Sequence, residues 1–264
     1  MITKVSQVNI TKFLFATVSI TGFFLFWDFA AKHLVENPFI LPSPIDVMAG
    51  VEKLFTGYLG GNIFVHIRSS LYIVMIGYLF SIMLGVPLGI MMAWNKNVDT
   101  IFSPLLSIVR PIPPPAWIPL AILWFGIDAS GKVFVIIISS FVPCVVNSYL
   151  AVKEQPQELI DASKTLGATR TKQLMEVVIP SGLPTILTGM RIALGNSWAT
   201  VVAAELVVAS SGLGFLIQAG YRNFEANIMA ASMIAIAIIG FSMNLCFRLI
   251  ENWVVPWREN QDQF

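Results

Sequence analysis

Few residues of this chain have the type and spacing to do chemistry, and most of those are excluded by their neighbours. The two histidines, His33 and His66, lie in no H-E-x-x-H pattern; no G-x-S-x-G elbow occurs, and no apolar run holds a pair of carboxylates. Gly126, Gly131 and Lys132 are spaced like a phosphate-binding loop, but Val133 stands where a magnesium-liganding Ser or Thr is required. The chain is therefore expected to bind no ATP, metal or cofactor and to have no catalytic site. What remains is mechanical: a polar island at Glu158, Asp161-Ala162-Ser163, Leu166-Gly167 and Val177-Val178-Ile179-Pro180, set between long apolar runs. So apolar a chain keeps a charged helix-turn-helix in its middle when something on the water side must grip it.

The island's elements follow from its residues. Pro156 suits a first helical position, where its missing N–H costs nothing. Glu158 and Asp161 fall in the first turns, where the helix dipole favours negative charge. Leu159, Ala162 and Leu166 recur at helical spacing and make one apolar face. Gly167 can adopt the left-handed conformation that ends a helix. Thr169 is a cap for a second helix carrying Leu174, Val177 and Val178, and Pro180 and Pro184 mark its end and the entry into the next apolar run.

Composition fixes the class of protein that holds this island. Of 264 residues, 56% are hydrophobic and 12% charged, with a mean hydropathy of +0.77, whereas soluble domains carry roughly 25% charged residues. Runs of the roughly 20 apolar residues that cross a bilayer are found at 13–29, 71–94, 101–127, 133–152, 183–209 and 227–247. About six spans follow, all helical because an open sheet edge is not tolerated in lipid. The fold class is thus an all-α integral membrane protein read as a single domain over 1–264. Its parts are an N-terminal span (1–35), an outer segment (36–66), spans 2–4 (67–152), the island (153–182), spans 5–6 (183–252) with an outer loop near 210–226, and a tail (253–264). No small-x-small cleavage site follows the first run, so it is read as a span and not as a signal peptide. Lys and Arg are richer in the segments that are cytoplasmic when both termini are inside, which puts the island and the tail in the cytoplasm. Net charge is +1, and nothing points to nucleic acid. Cys144 and Cys246 read as small apolar residues.

The spacing acidic-Ala-small, three residues, Gly, then aliphatic-x-aliphatic-Pro resembles the coupling loop of ABC importer permeases, with Asp161 for Glu, Ser163 for Ala and Ile179 for Leu. The resemblance continues through Leu41-Pro42-Ser43-Pro44, Arg110-Pro111-Ile112-Pro113-Pro114-Pro115-Ala116-Trp117-Ile118-Pro119, Leu123-Trp124-Phe125-Gly126-Ile127, Val202-Ala203-Ala204-Glu205-Leu206 and Gly212-Leu213-Gly214. Together these are similar to the nitrate/sulfonate/taurine branch, and 198–205 leans to its taurine and sulfonate members. The resemblance implies a type I importer fold in a bacterial inner membrane, a second permease copy, two ATPase subunits that hold ATP and Mg, and a periplasmic or lipid-anchored binding protein. It also implies that Glu158, Asp161, Ala162, Ser163, Leu166, Gly167 and Pro180 engage the ATPase. A taurine-like or alkanesulfonate solute leads, with nitrate, bicarbonate or an aromatic acid as alternatives.

Candidate pathway residues are Pro115, Trp117, Asn196, Trp198 and Glu205. For Trp117 and Trp198 plain packing is the competing reading; for Glu205 it is a structural partner or gate element. The proline run either lines a pathway or makes a rigid bend. Arg110 and Arg191 are expected to snorkel to the interface, and Gly85 and Gly89 to allow close helix packing. An ion-coupled secondary transporter is disfavoured, since no mid-membrane acidic or His array and no inverted repeat is evident.

Overall fold

The computed structural model describes residues 2–35 and 37–257, with side chains described from Leu14 onward except at residue 16. Of the expected tail, 258–264 lie outside the described residues, as do the Lys4 and Lys12 side chains counted toward orientation. Five helical stretches are long and apolar enough to cross a membrane: Thr17–Val35, Ile63–Trp94, Ala129–Lys153, Arg170–Val207 and Ala226–Val254. The run expected at 101–127 is not a straight span. Helix α4 (Lys96–Val109) and the segment Pro114–Phe125, a 3-10 turn leading into α5 (Ile118–Phe125), meet at 87°. Pro111, Pro113, Pro114 and Pro115 remove successive amide donors there, so no single helix can pass through.

The chain divides into two compact units, residues 1–64 with 216–235, and 65–215 with 236–264. In the first, α1 (Ile2–Phe29) continues into a π-helical stretch at Ala30–Val35, and Asp28 pairs with Lys32 at 2.8 Å. Helix α2 (Pro44–Thr56) opens on a capping box in which Ser43 and Asp46 exchange bonds, which satisfies two otherwise orphaned amides. These bonds hold the Asp46 carboxyl below the usual carboxylate range, the Ser43 hydroxyl first and its amide second. Trp27 Nε1 donates to the Pro42 carbonyl at 3.0 Å, and Lys53 pairs with Glu225.

The second unit is built on small residues. Helix α3 (Ile63–Trp94) lies parallel to α6 (Ala129–Lys153): a Cβ at Gly77 would meet Ile136, one at Gly85 would meet Cys144 at 2.8 Å, and one at Gly89 would strike the Val145 carbonyl. The expected Gly85/Gly89 contact is therefore present, and Ser81, whose hydroxyl donates to the Ile137 carbonyl at 3.2 Å, extends the stripe to Gly77. Helix α9 (Ile179–Val207) runs antiparallel to α6, with Gly182 against Ala151, Gly189 against Asn147, and the Ser140 hydroxyl bonded to Ser197 and to the Ala193 carbonyl. Without a solvent-driven hydrophobic effect in lipid, such close backbone approach and interhelical hydrogen bonds supply the association energy. Cys144 is buried in this core and Cys246 is exposed on α11 (Ala226–Val254); both are free thiols.

Arg191, expected at the interface, has a partner within the bundle. It is half-buried and pairs at 3.3 Å with Glu251, which is nearly fully buried. Lipid-depth charge that finds a partner inside the bundle need not reach water. Gly126, at φ +79°, ends α5, and Gly131 packs a Cβ position 3.0 Å from the Gly126 carbonyl. The phosphate-loop spacing is thus a tight helix–helix corner.

Candidate functional site

The island folds as two short helical pieces at a knuckle. Helix α7 (Gln157–Thr165) starts one residue later than expected, with Pro156 as its N-cap. Glu158 lies in the first turn. Asp161 accepts from Lys164 at 2.9 Å and from Gln157 at 3.1 Å; these bonds, Lys164 first, hold its carboxyl below the usual range. Ser163 is buried and returns its hydroxyl to the Ile160 carbonyl at 2.7 Å. The C-terminus closes with Ala168 N–H to Ser163 carbonyl at 3.0 Å and Gly167 N–H to Lys164 carbonyl at 2.9 Å, the paired bonds of a Schellman end. Gly167 has the φ of +81° that this end requires.

The apolar face read from the spacing exists, but it points away from the chain's own core. Leu159 is 44% exposed and Leu166 88%, and Ala162 between them is exposed. The helix touches its own protein through Ile160 and Ser163 instead. Covering Leu166 would be worth about 1.5–3 kcal/mol and the part-covered Leu159 about half that, so the face is suited to a partner.

Beyond the knuckle the expected break at Pro180 is absent. Thr169 caps as expected, its hydroxyl accepting from Lys172 N–H. From there α8 (Arg170–Lys172), a π-helical stretch Gln173–Val178 and α9 follow without interruption. Pro180 has no amide and its ring would strike the preceding turn of an α-helix. The wider π turn gives it room, and the Ser181 hydroxyl reaches the Val177 carbonyl at 2.7 Å and the Gln155 side-chain oxygen at 2.6 Å. The result is one rod from Arg170 to Val207, 38 residues and roughly 55 Å long. Arg170 also donates to the Trp94 carbonyl at 2.8 Å and stacks on the Trp94 ring, fastening the knuckle to the end of α3. This tie has no signal in the sequence, because its acceptor is a backbone carbonyl 76 residues away.

The five candidate pathway residues sit in different surroundings. Trp117 packs beside Ile118, Ala121, Val135 and Ala204. Trp198 lies against α11, donating to the Ile236 carbonyl at 3.2 Å. Pro115 and Asn196 are exposed. Glu205 is 1% exposed at the end of α9 opposite α7, where it accepts from the Ser70 hydroxyl at 2.7 Å and the Gly214 amide at 2.9 Å. His66 and Ser70 beside it were not marked by spacing; the Gly-Leu-Gly they hold was.

This arrangement of parallel and antiparallel glycine-packed helices, with a solvent-exposed knuckle continuous with one of them, defines a multi-pass helical membrane protein. The chain belongs to the family described as binding-protein-dependent transport system inner membrane component, matched over residues 85–260, and is an ABC importer permease of the nitrate/sulfonate/taurine type. It is 36% identical over 238 residues to the taurine transport system permease protein TauC of Escherichia coli, covering 88% of this chain and 85% of that one. It is 30% identical over 236 residues to the putative aliphatic sulfonates transport permease protein SsuC of Bacillus subtilis, covering 89% and 84%. The bicarbonate transport system permease protein CmpB of Synechococcus elongatus is 29% identical over 252 residues, covering 92% and 89%. Among solved structures, the MetNI methionine ABC transporter in an inward-facing form gives a TM-score of 0.62 at 22% identity, covering 70% of this chain and 92% of that one. Its fold is the type I importer permease fold.

Proposed function

We propose that this permease carries a small anionic or zwitterionic solute, taurine or an alkanesulfonate first, handed over by an external binding protein and driven by ATP hydrolysed on a partner subunit. Two permease copies and two ATPase subunits make the complex, with both termini and the knuckle on the cytoplasmic side. The knuckle is the handle. Leu159, Ala162 and Leu166 enter a groove of the ATPase; Glu158 and Asp161 meet its polar rim. Ser163 seats the helix on its own bundle, Gly167 makes the turn, and Pro180 with its π turn delivers the displacement into α9. Closure of the ATPase pair on ATP then rocks a rigid rod, biasing the bundle between two states.

The observation that carries this reading is the outward apolar face of α7 joined to an uninterrupted 38-residue helix. A lever needs both a grip and stiffness. The taurine and sulfonate names of two relatives at 36% and 30% identity support the solute class, and the bicarbonate relative keeps planar inorganic anions as the alternative. The test is co-purification with an ATPase encoded nearby, then hydrolysis assays with the cognate binding protein and a panel of taurine, alkanesulfonates, nitrate and bicarbonate. Stimulation by one solute class identifies the cargo. Indifference of hydrolysis to every binding protein overturns the importer reading, and Leu166→Asp that still co-purifies the ATPase overturns the handle.

A further inference from the structure

At the far end of the rod a set of buried side chains closes around three consecutive backbone amides. Gly212 N–H donates to His66 Nδ1 at 3.2 Å, Leu213 N–H to Ser70 Oγ at 3.0 Å and Gly214 N–H to Glu205 Oε2 at 2.9 Å. The Ser70 hydroxyl in turn donates to the Glu205 carboxyl, 2.7 Å from Oε1, and Ser69 bonds Ser211 at 2.9 Å. Glu205 and His66 are each 1% exposed, and Ser70 and Leu213 are fully buried. The turn is shaped to the carboxyl: Gly212 has φ +121°, and a Cβ on it would overlap the Glu205 carboxyl group, while one on Gly214 would come within 2.7 Å of Glu205 Cβ.

These amides open helix α10 (Leu213–Arg222), and the first amides of a helix have no partners within it. Left unbonded in an apolar interior, each would carry the full desolvation penalty of a buried donor. A buried carboxyl at a helix N-terminus satisfies one of them directly, complements the dipole, and through Ser70 satisfies a second. Because His66 Nδ1 accepts, the ring is in the tautomer that carries its hydrogen on Nε2. Three elements are therefore tied at one point: α3 by His66, Ser69 and Ser70, α9 by Glu205, and the turn 210–214 by its own amides.

We propose that Glu205 is the positioning residue by which the rod of residues 170–207 carries this outer turn, so that the outer ends of α3 and α9 and the first turn of α10 move as one piece through the transport cycle. The proposal rests on the coupling role given to the knuckle above: a lever driven at Gly167 works on the outer side only if its far end is fastened to something. Glu205 is thus a fastener and does not touch the solute.

The test uses the full complex in nanodiscs or proteoliposomes, with hydrogen exchange at Gly212, Leu213 and Gly214 followed in the nucleotide-free state and with ATP and vanadate. Both states are expected to protect these amides. Glu205→Ala is expected to speed their exchange by about tenfold or more, the equivalent of one buried hydrogen bond, and to cut taurine uptake per ATP hydrolysed by a similar factor while hydrolysis goes on. Glu205→Gln keeps one acceptor oxygen that the Gly214 amide and the Ser70 hydroxyl can share, since both lie 2.9 Å from Oε2, so it restores most of both readouts, and millimolar formate partly restores the alanine variant. Loss of protection in the vanadate-trapped wild type, or normal uptake per ATP in Glu205→Ala, overturns the proposal. Should Glu205→Ala not reach the membrane, Ser70→Ala, which removes only one hydroxyl, carries the same two measurements. Uncoupling by Gly167→Val without uncoupling by Glu205→Ala sinks this proposal alone; normal coupling in Gly167→Val sinks the coupling role beneath it.

Discussion

Replacing Gly167 separates backbone strain from every other effect, because nothing lies within 4 Å of the position a Cβ would take. Within the chain no Cβ clash can occur there, and the chain's own cost comes from φ +81°. An L-residue in the left-handed region costs about 1–2 kcal/mol, with Asn below that range and a β-branched residue at or above its top. At about 1.4 kcal/mol per factor of ten, alanine lowers the weight of the closed knuckle by about 5- to 30-fold relative to competing loop conformations. Uptake per ATP hydrolysed, measured in proteoliposomes with the ATPase and binding protein, should therefore fall in the order Gly167, Asn, Ala, Val, while the amount of permease in the membrane stays level. Gly57, at φ +132° with equally open surroundings, is the control. Gly57→Ala bears at least as much strain at the end of α2 and should leave the ratio unchanged. Wild-type coupling in Gly167→Val, or an equal loss in Gly57→Ala, would refute the reasoning.

Other perturbations read other parts of the molecule. Gly89→Val drives a branched side chain into the Val145 carbonyl and to within 2.8 Å of Ser148 Cβ; overpacking of this kind costs about 1–3 kcal/mol, visible as a lower unfolding midpoint in detergent, whereas Gly22→Val, with open space around it, should leave the midpoint in place. Arg191→Met removes a cationic partner of the buried Glu251 and should destabilise by up to about 3 kcal/mol, the lower end for breaking a buried pair, whereas the exchanged pair Arg191→Glu with Glu251→Arg recovers much of it; no recovery would mean that the pair does not act as a pair. Burial pushes Glu225 up, but hydrogen bonds from Lys53 and then Tyr58 outweigh it, so its carboxyl is held below its ordinary value of 4.5. A carboxyl lowered on folding stabilises fully above that value and loses its contribution as pH falls through the lower folded value. Protection of α2 amides against hydrogen exchange should accordingly weaken on acidification below about 4.5 in the wild type, and that dependence should be flattened in Lys53→Met.

Much of this molecule was legible in one dimension because lipid simplifies the rules. A backbone in hydrocarbon must satisfy itself, so long apolar runs can only be helices, and five of the six runs are single helices. Gly167 and Thr169 were readable for a similar reason: a Schellman end and an N-cap are made by residues within a turn of each other, with no help from the rest of the chain. Gly85 and Gly89 announced a close approach, though not against which helix. Periodicity identified the apolar face of α7 but carried no direction, since a repeat of 3.6 fits burial in the chain's own core and burial by a partner equally well. Tertiary structure removed the first by placing Ile160 and Ser163 inward and leaving Leu159, Ala162 and Leu166 exposed. It also decided whether Pro180 ends a helix. Local rules predict a break, but the π turn at Gln173–Val178 gives the Pro180 ring room, and a rod results where two pieces were expected. The proline run behaved in the opposite way, because four prolines within five residues leave too few donors for any such repair. Glu205 with Ser70, Arg191 with Glu251 and Arg170 with the Trp94 carbonyl are pairings across 60 to 135 residues. The sequence names their members, but only the packed bundle brings each donor to its acceptor, because hydrogen bonds act over about 3 Å and chain order carries no record of which helices become neighbours.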